Sequence, residues 1–384
     1  METREPFTIG VEEEFFLVDL STRTPVPLAE KVSQITEAAP GSVAAEIYPS
    51  TIEIRTRVCD SLGQVRTELS KLRAVAADAA RAYGAGLLAS GSHPFAPSNG
   101  GTVRQTTRYL RQISDYRQLI AQQHIAGCHI HIGISSQDTA IQVFNQARTM
   151  LAPLLALTAN SPFWEGVSTG YASWRTLVWS RWPVSGIPPE FRSSAEYESL
   201  VGDFVALGII SDPSNIYWDI RLSPKFPTLE FRAFDVARTV DDAVALAGLV
   251  RACVRTCHEE VRHGVRPDPS SQAVLQAARW QAARDGLSGM LVDLRQRCLA
   301  PASEVMTSVL TRLRPALTEQ GDWDEVSGLV ARILADGGGA QRQRESYRRC
   351  GRISGVVDDA LVPASQRATR IPVAGGSLTQ ARRS

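Results

Sequence analysis

The chain reads as an α+β protein built on an antiparallel sheet with helices covering its apolar side, and three observations lead there. Strand-like segments near 7–19, 43–58, 86–92, 126–135, 215–222 and 227–235 alternate with helical stretches, whereas almost everything after residue 236 has helical periodicity. No strand-helix-strand period of the doubly wound kind recurs, and the last two strands are close neighbours joined by the turn Ser223-Pro224-Lys225. Several strands alternate charged with apolar residues, as expected of a sheet with one polar and one buried face.

The elements follow in order. GVEEEFFLV opens the chain as a strand, and TIEIRT lies within the second. Between 60 and 83, Leu62, Val65, Leu69, Leu72 and Val75 recur at helical spacing behind a cap at Asp60 or Ser61, with a charged opposite face. Further helices are expected at about 104–124, 139–159, 193–207 and 240–263, and CHIHIGI forms the strand near 130. The stretch Trp164 to Pro189, rich in tryptophan and proline, reads as a long ordered loop.

Composition narrows the function. With 384 residues, 43% of them hydrophobic, the chain can bury a large core as one domain or two. Lys plus Arg number 41 against 40 for Asp plus Glu, so there is no basic field of the kind nucleic-acid binding needs. No apolar run approaches the roughly 18 residues that cross a bilayer, and METREPFTIG lacks the apolar core of a signal peptide. The expectation is a cytoplasmic protein without membrane contact. Cys59, Cys128, Cys253, Cys257, Cys298 and Cys350 lack paired spacings and suit reduced thiols, with Cys253 and Cys257 packed inside a helix. The apolar helical second half offers an interface, and a homodimer is the expected assembly.

Chemistry is concentrated at alternate strand positions. Glu12 and Glu14, Glu53 and Arg55, His129 and His131, and Glu230 and Arg232 each form an i, i+2 pair on one face, while Phe15, Ile54, Ile130 and Phe231 point the other way. This face is limited to groups that hold divalent cations and oxyanions, which points to a metal-bound phosphate. Two carboxylates as close as Glu12 and Glu14 repel unless a cation lies between them. The oxygen-rich set suits Mg or Mn better than zinc, and a guanidinium beside each of two carboxylates is suited to a phosphoryl group. A row of plain intrastrand ion pairs, worth about 0–1 kcal/mol each, would need no such order. Glu13 points away, to another partner or the strand's wet end. Asp219 and Arg221 extend the pattern, and Arg175 and Arg181 lie in the aromatic loop, where they could close over an anion. Gly337-Gly338-Gly339, followed by Gln341, Arg342 and Arg344, is either an anion-binding turn or a helix boundary. No P-loop, dinucleotide fingerprint or hydrolase triad motif is found.

Taken together, GVEEEFFLVD, TIEIRT, CHIHIGI, WDIRLSPKF with TLEFRAFD, and the late GGGAQRQR resemble the carboxylate-amine ligase family, also called type 2 glutamate-cysteine ligases, in the right order from residue 7 to about 350. That family is related to glutamine synthetase. The resemblance implies a curved antiparallel sheet shaped like a funnel, with helices on the convex side and Mg ions and ATP phosphates on the concave side. It implies one ligase domain over 1–363, and the arginine-containing, acid-free tail 364–384 is expected to be disordered.

Carried over by position, the resemblance makes Glu12, Glu14, Glu53, His129 and Glu230 the Mg ligands. Arg232, with Arg55, would serve the transferred phosphoryl group. His131 would lie near the ATP phosphates and Arg221 or Arg175 near the acidic substrate, these three forming the cofactor-binding set. The implied reaction phosphorylates a carboxylate, that of the glutamate side chain, and lets an amine such as cysteine displace phosphate. Two rival readings are a metal-dependent amidohydrolase using His129, His131 and the carboxylates, and a nucleotide-binding, ligase-like protein without turnover.

Overall fold

Alternation in the first strand is expressed directly: Val11, Glu13, Phe15 and Leu17 are buried on one side, and Glu12 and Glu14 face the other. A computed structural model describes residues 5, 7–36, 42–97, 103, 104 and 106–365 of the chain. Its main sheet has strands β1 (Ile9–Asp19), β2 (Ser42–Ala45), β3 (Thr51–Arg55), β4 (Ala85–Leu88), β5 (Gly127–Gly133), β6 (Ile220–Leu222) and β7 (Thr228–Asp235). Their order is β6-β7-β5-β1-β3-β2 with β4 alongside β1, and every pairing is antiparallel. The described sheet stays open, with β2 and β6 at its edges.

The sequence suggested a single strand over 43–58, and the structure has two. Glu46 N–H donates to Thr51 O at 2.9 Å and Thr51 N–H to Tyr48 O at 3.0 Å, closing a turn around Pro49, whose nitrogen cannot donate to a ladder. The Trp164–Pro189 stretch is also more regular than a loop. It contains the helix Trp174–Trp179, capped by Ser173, and its Ser185–Gly186 pairs in parallel with Tyr217–Trp218.

Helices seal the apolar face. Ser61 caps α1 (Leu62–Ala82) by accepting from Gln64 N–H, and Leu62, Val65, Leu69 and Leu72 are buried against the sheet side of the core. A capping box, Thr239 with Asp242, starts α2 (Val240–Arg262), which runs behind β5 and β1. At Gly248 a side chain would meet Val326 Cγ2 at 2.5 Å and Leu62 Cδ1 at 3.0 Å, so only glycine lets α2 cross α1 and α3 (Trp323–Asp336) this closely. No helix among the described residues is long and apolar enough to cross a membrane.

The late glycines are a helix boundary. Gly337, at φ +77°, ends α3, and α4 (Gly338–Cys350) starts at once, with Gly339 seated against Asn160 and Gln343 donating to Asn160 and Ser90. Cys253 and Cys257 are buried, and among the described residues all the cysteines are free thiols. Of the expected tail, Ala364 packs on the core and Ser365 N–H donates to Asp78 at 2.7 Å, while 366–384 lie outside the described residues.

Glu13 has a buried partner instead of a wet strand end. It faces Arg73 of α1, on the side of the helix expected to be solvated; Arg73 Nε donates to Glu13 Oε2 at 2.8 Å and Nη2 to Ala237 O at 2.8 Å. One guanidinium thereby ties β1, α1 and the exit of β7 together. Removing one member of a buried pair strands the other, so Glu13→Ala should cost about 3–5 kcal/mol in denaturant unfolding, and Glu13→Leu with Arg73→Met should recover most of that loss. A single substitution within about 1 kcal/mol of the parent would show that the pair does not hold these elements.

Candidate active site

Register gathers the alternating pairs into one patch. Glu12 of β1 lies opposite Arg55 of β3 on one side and His129 of β5 on the other, and Glu14 lies opposite Glu53. One step along, His131 opposes Glu230 of β7, which opposes Arg221 of β6. These side chains, with Arg232, line a cavity of about 400 Å³, within the range of small-molecule sites.

Arg232 shares the cavity face with Glu230 by alternation, and an irregularity in β7 follows Phe231. Phe231 pairs with Ile130 but Phe234 with Cys128, so the strand carries one extra residue between them. Both phenylalanines are thereby buried in the core, although residues three apart in a regular strand face opposite sides. Arg232 N–H donates to Asp219 O at 2.7 Å, its side chain is ion-paired with Glu230, and its guanidinium lies 5.8 Å from the Trp179 ring centre.

Two trios could each hold a cation, and they share a ligand. One ligand atom from each of Glu12, Glu53 and His129 lies within 4.8 Å of the others, and so it does for Glu12, His131 and Glu230. Glu12 Oε2 is 3.3 Å from His129 Nδ1, and His131 Nδ1 is 3.0 Å from Thr228 Oγ1. Both imidazoles keep a buried Nε2 with no hydrogen-bond partner. A buried polar atom left unpaired is costly, and a hard, oxygen-preferring cation such as Mg or Mn fits this carboxylate-rich, thiolate-free set.

Charge is balanced on one side of the patch only. Burial works against ionisation of Glu230, yet Arg232 and Arg221 hold its carboxyl well below the usual range. Glu12 behaves likewise: burial works against ionisation, yet the adjacent imidazoles of His129 and His131 hold its carboxyl well below the usual range. Burial and the neighbouring Arg232 push His129 down to about 4, leaving a neutral imidazole at pH 7. On the other side, burial and then Glu46 push Glu14 up to about 7, and burial, Glu46 and Glu12 push Glu53 well above its ordinary value, with Arg55 offsetting only part. The nearby arginines compensate these carboxylates only in part, which suits them to a bound cation.

Arg175 and Asp219 are not placed as the sequence implied, whereas Arg221 is in the cavity lining. Arg175 does not line the cavity. It is 1% exposed behind the patch, 5.5 Å from the Trp179 ring centre, with Nη2 3.4 Å from Arg232 O, and only the bare Gly127 allows it there. Arg221 lines the cavity with Nε and Nη2 donating to Glu230 at 2.7 and 3.0 Å and Nη1 to Ser214 O and Ile216 O, which fixes its guanidinium against Glu230. Asp219 is fully buried in an ion pair with Arg279, because the chain between Trp218 and Ile220 breaks strand alternation. Arg181 does not line the cavity either, and donates to Gln122 at 2.9 Å.

Sequence reasoning missed Glu46, Gln123 and an aromatic wall of Tyr48, Trp179, Trp182 and Tyr217, all of which line the cavity. Glu46 was hidden by reading the β2–β3 turn as strand. The density of aromatic residues in the loop was the available signal for the wall.

The profile of glutamate-cysteine ligase family 2 matches residues 8–364. A Mycolicibacterium smegmatis protein provisionally named glutamate-cysteine ligase 2-3 is 41% identical over 353 residues, covering 92% of this chain and 96% of its own length. Among solved structures, the glutamate-cysteine ligase of Francisella tularensis in complex with AMP has a TM-score of 0.69 at 13% identity, covering 93% of this chain and 88% of that one. The bifunctional glutathione synthetase of Pasteurella multocida has a TM-score of 0.66 at 16% identity, covering 92% of this chain and 50% of that one. These two likenesses are of fold, a mixture of helices with an antiparallel sheet. The match along almost the whole sequence is of family, and the chain belongs to glutamate-cysteine ligase family 2.

Proposed function

We propose that the chain is an ATP- and Mg-dependent carboxylate-amine ligase that activates the side-chain carboxylate of glutamate as an acyl phosphate and joins it to an amine. The observation that carries the reading is the pair of candidate cation trios sharing Glu12, flanked by Arg232 and Arg55. Phosphoryl transfer between two anions needs positive charge at several oxygens at once, and this arrangement can provide it. Membership of a ligase family and the AMP held by the Francisella ligase support the same reading. Residues 1–363 are taken as one catalytic unit, consistent with a core that runs from Phe7 to Ala360 and against which Val362 packs.

In this reading Glu12, Glu14, Glu53, His129 and Glu230 hold Mg, with His131 beside the nucleotide phosphates. Bound Mg supplies charge neutralisation at the phosphate oxygens. Arg232, fixed by Glu230 and Trp179, meets the charge that develops as the phosphoryl group moves, and Arg55 does so from the other side of Glu12. Arg221 keeps Glu230 ionised and oriented. The aromatic wall keeps bulk water from the acyl phosphate, which would otherwise hydrolyse.

The deciding experiment screens amino acids and amines for phosphate release from ATP in the presence of glutamate and Mg, with products weighed by mass spectrometry. Release that depends on both glutamate and an amine is expected. Product formation from an amide without ATP would instead favour metal-dependent hydrolysis. Arg232→Ala should lower kcat for phosphate release by about 10³-fold while leaving nucleotide affinity nearly intact. Glu12→Gln, which removes a ligand from both trios, should weaken Mg and nucleotide together. Equal losses from Arg232→Ala and from substitution of a remote surface arginine would refute the role of Arg232.

Mg should also act on stability with a definite pH sign. Glu14, raised from 4.5 to about 7, binds its proton more tightly in the folded chain than in the unfolded one. Its ionisation therefore destabilises the metal-free protein progressively as pH rises from 4.5 to 7. The rise in melting temperature on adding Mg, relative to EDTA, should be larger at pH 8 than at pH 5.5. A rise of the same size at both values would argue against these carboxylates as cation ligands.

A further inference from the structure

Outside the cavity, the helix Gln272–Asp285 turns one polar face toward the segments that carry the site. Gln272, Gln276 and Arg279 recur at i, i+4 and i+7 and so share that face. Gln272 Nε2 donates to Ile187 O at 2.7 Å and Gln276 Oε1 accepts from Ile187 N–H at 3.1 Å, which anchors the end of the parallel pair formed by Ser185–Gly186 and Tyr217–Trp218. Arg279 is 2% exposed and does not line the cavity. Its guanidinium uses all three nitrogens: Nε and Nη2 bond to the Asp219 carboxylate, Nη2 at 3.1 Å, and Nη1 donates to Ser180 Oγ at 2.8 Å.

Both partners of Arg279 lead to Arg232. The Asp219 carbonyl accepts the Arg232 N–H at 2.7 Å, and Ser180 directly follows Trp179, whose ring centre lies 5.8 Å from the Arg232 guanidinium. Trp179 is itself held by Nε1, which donates to Tyr217 O at 3.0 Å. One buried guanidinium therefore joins the backbone from which the Arg232 side chain starts to the helix end that carries the ring beside it. Among the described residues Arg232 is ion-paired with Glu230, and its Nε has no hydrogen-bond partner. Once a phosphoryl group competes with Glu230 for the guanidinium, the Trp179 ring is the contact left to set its angle. Fixed charge stabilises a transition state only when it is aimed at the charge that develops, and a misplacement of about 1 Å can cost about 10²-fold in rate.

We propose that Arg279 is a positioning residue for Arg232, touching no substrate itself and setting, through Asp219 and Ser180, how Arg232 lies between Glu230 and the Trp179 ring. The assignment rests on the ligase reading above and adds to it a residue from outside the cavity. Lysine cannot take the place of Arg279, because a single ammonium lacks the planar fork that reaches a carboxylate and a hydroxyl in fixed directions at once.

The test follows glutamyl hydroxamate formed by the full chain from glutamate, ATP, Mg and hydroxylamine, which captures the acyl phosphate whatever the natural amine. Arg279→Lys should lower kcat about tenfold or more and leave KM for ATP and for glutamate within about twofold. Ser180→Ala, which leaves Arg279 paired with Asp219, should lower kcat in the same direction by a smaller factor, and it carries the test if Arg279→Lys does not fold. Gln272→Ala, on the same helix face but bonded only to Ile187, should keep kcat within about twofold of the parent. In an Arg232→Ala background Arg279→Lys should lower the residual rate no further, because the group it positions is gone. An unchanged kcat in Arg279→Lys, or in Ser180→Ala where the lysine variant does not fold, overturns the assignment. So does an equal loss in Gln272→Ala, or the same loss from Arg279→Lys with Arg232 absent. Each of these outcomes leaves the ligase reading standing as long as the parent forms hydroxamate; a parent that forms none removes that reading, and the positioning role with it.

Discussion

Antiparallel register holds the site together. Each strand contributes only one or two charged or imidazole side chains to the patch, and none of these sets could hold a polyvalent ligand alone. Pairing across β3, β1, β5, β7 and β6 sets Arg55, Glu12 and His129 in one row and His131, Glu230 and Arg221 in another. A slip of one residue in any strand would turn its acids into the core and its isoleucines and phenylalanines into the cavity, so the apolar face that α1 and α2 seal also fixes the chemistry on the other side.

Much of this was legible because period-two alternation is a local signal. Glu12, Glu14, Glu53, Arg55, His129, His131, Glu230 and Arg232 all line the cavity, and the strands and long helices fall close to where periodicity puts them. What was not legible depends on partners distant in sequence. Arg73 looks like part of a solvated helix face until Glu13, 60 residues away, is known to lie under it. Asp219 and Arg175 look like site residues because their neighbours in sequence are polar or aromatic, and only tertiary packing buries them against Arg279 and behind Gly127. The extra residue in β7 had a readable trace in Phe231 and Phe234, two aromatics three apart that a regular strand would place on opposite faces.

The cavity is electrostatically divided. Around Glu230 two guanidinium groups outweigh burial and keep the carboxylate charged, so that side is compensated within the chain. Around Glu14, Glu46 and Glu53 the acids are mutually repelled and under-compensated, which leaves that side waiting for positive charge from outside the chain. A protein that balanced both sides internally would be more stable and chemically inert; here the imbalance is what ligand binding relieves.

The irregularity between Phe231 and Phe234 has a consequence for inheritance as well as for geometry. Its effect comes from the number of peptide units and not from any one side chain, because counting alone decides which residues of the strand reach the core. Sequence drift in this segment can exchange one small residue for another at Ala233, whereas a change in its length would alter the register that carries both Phe231 and Phe234 into the core. Length, more than identity, is what descendants of this chain must keep there.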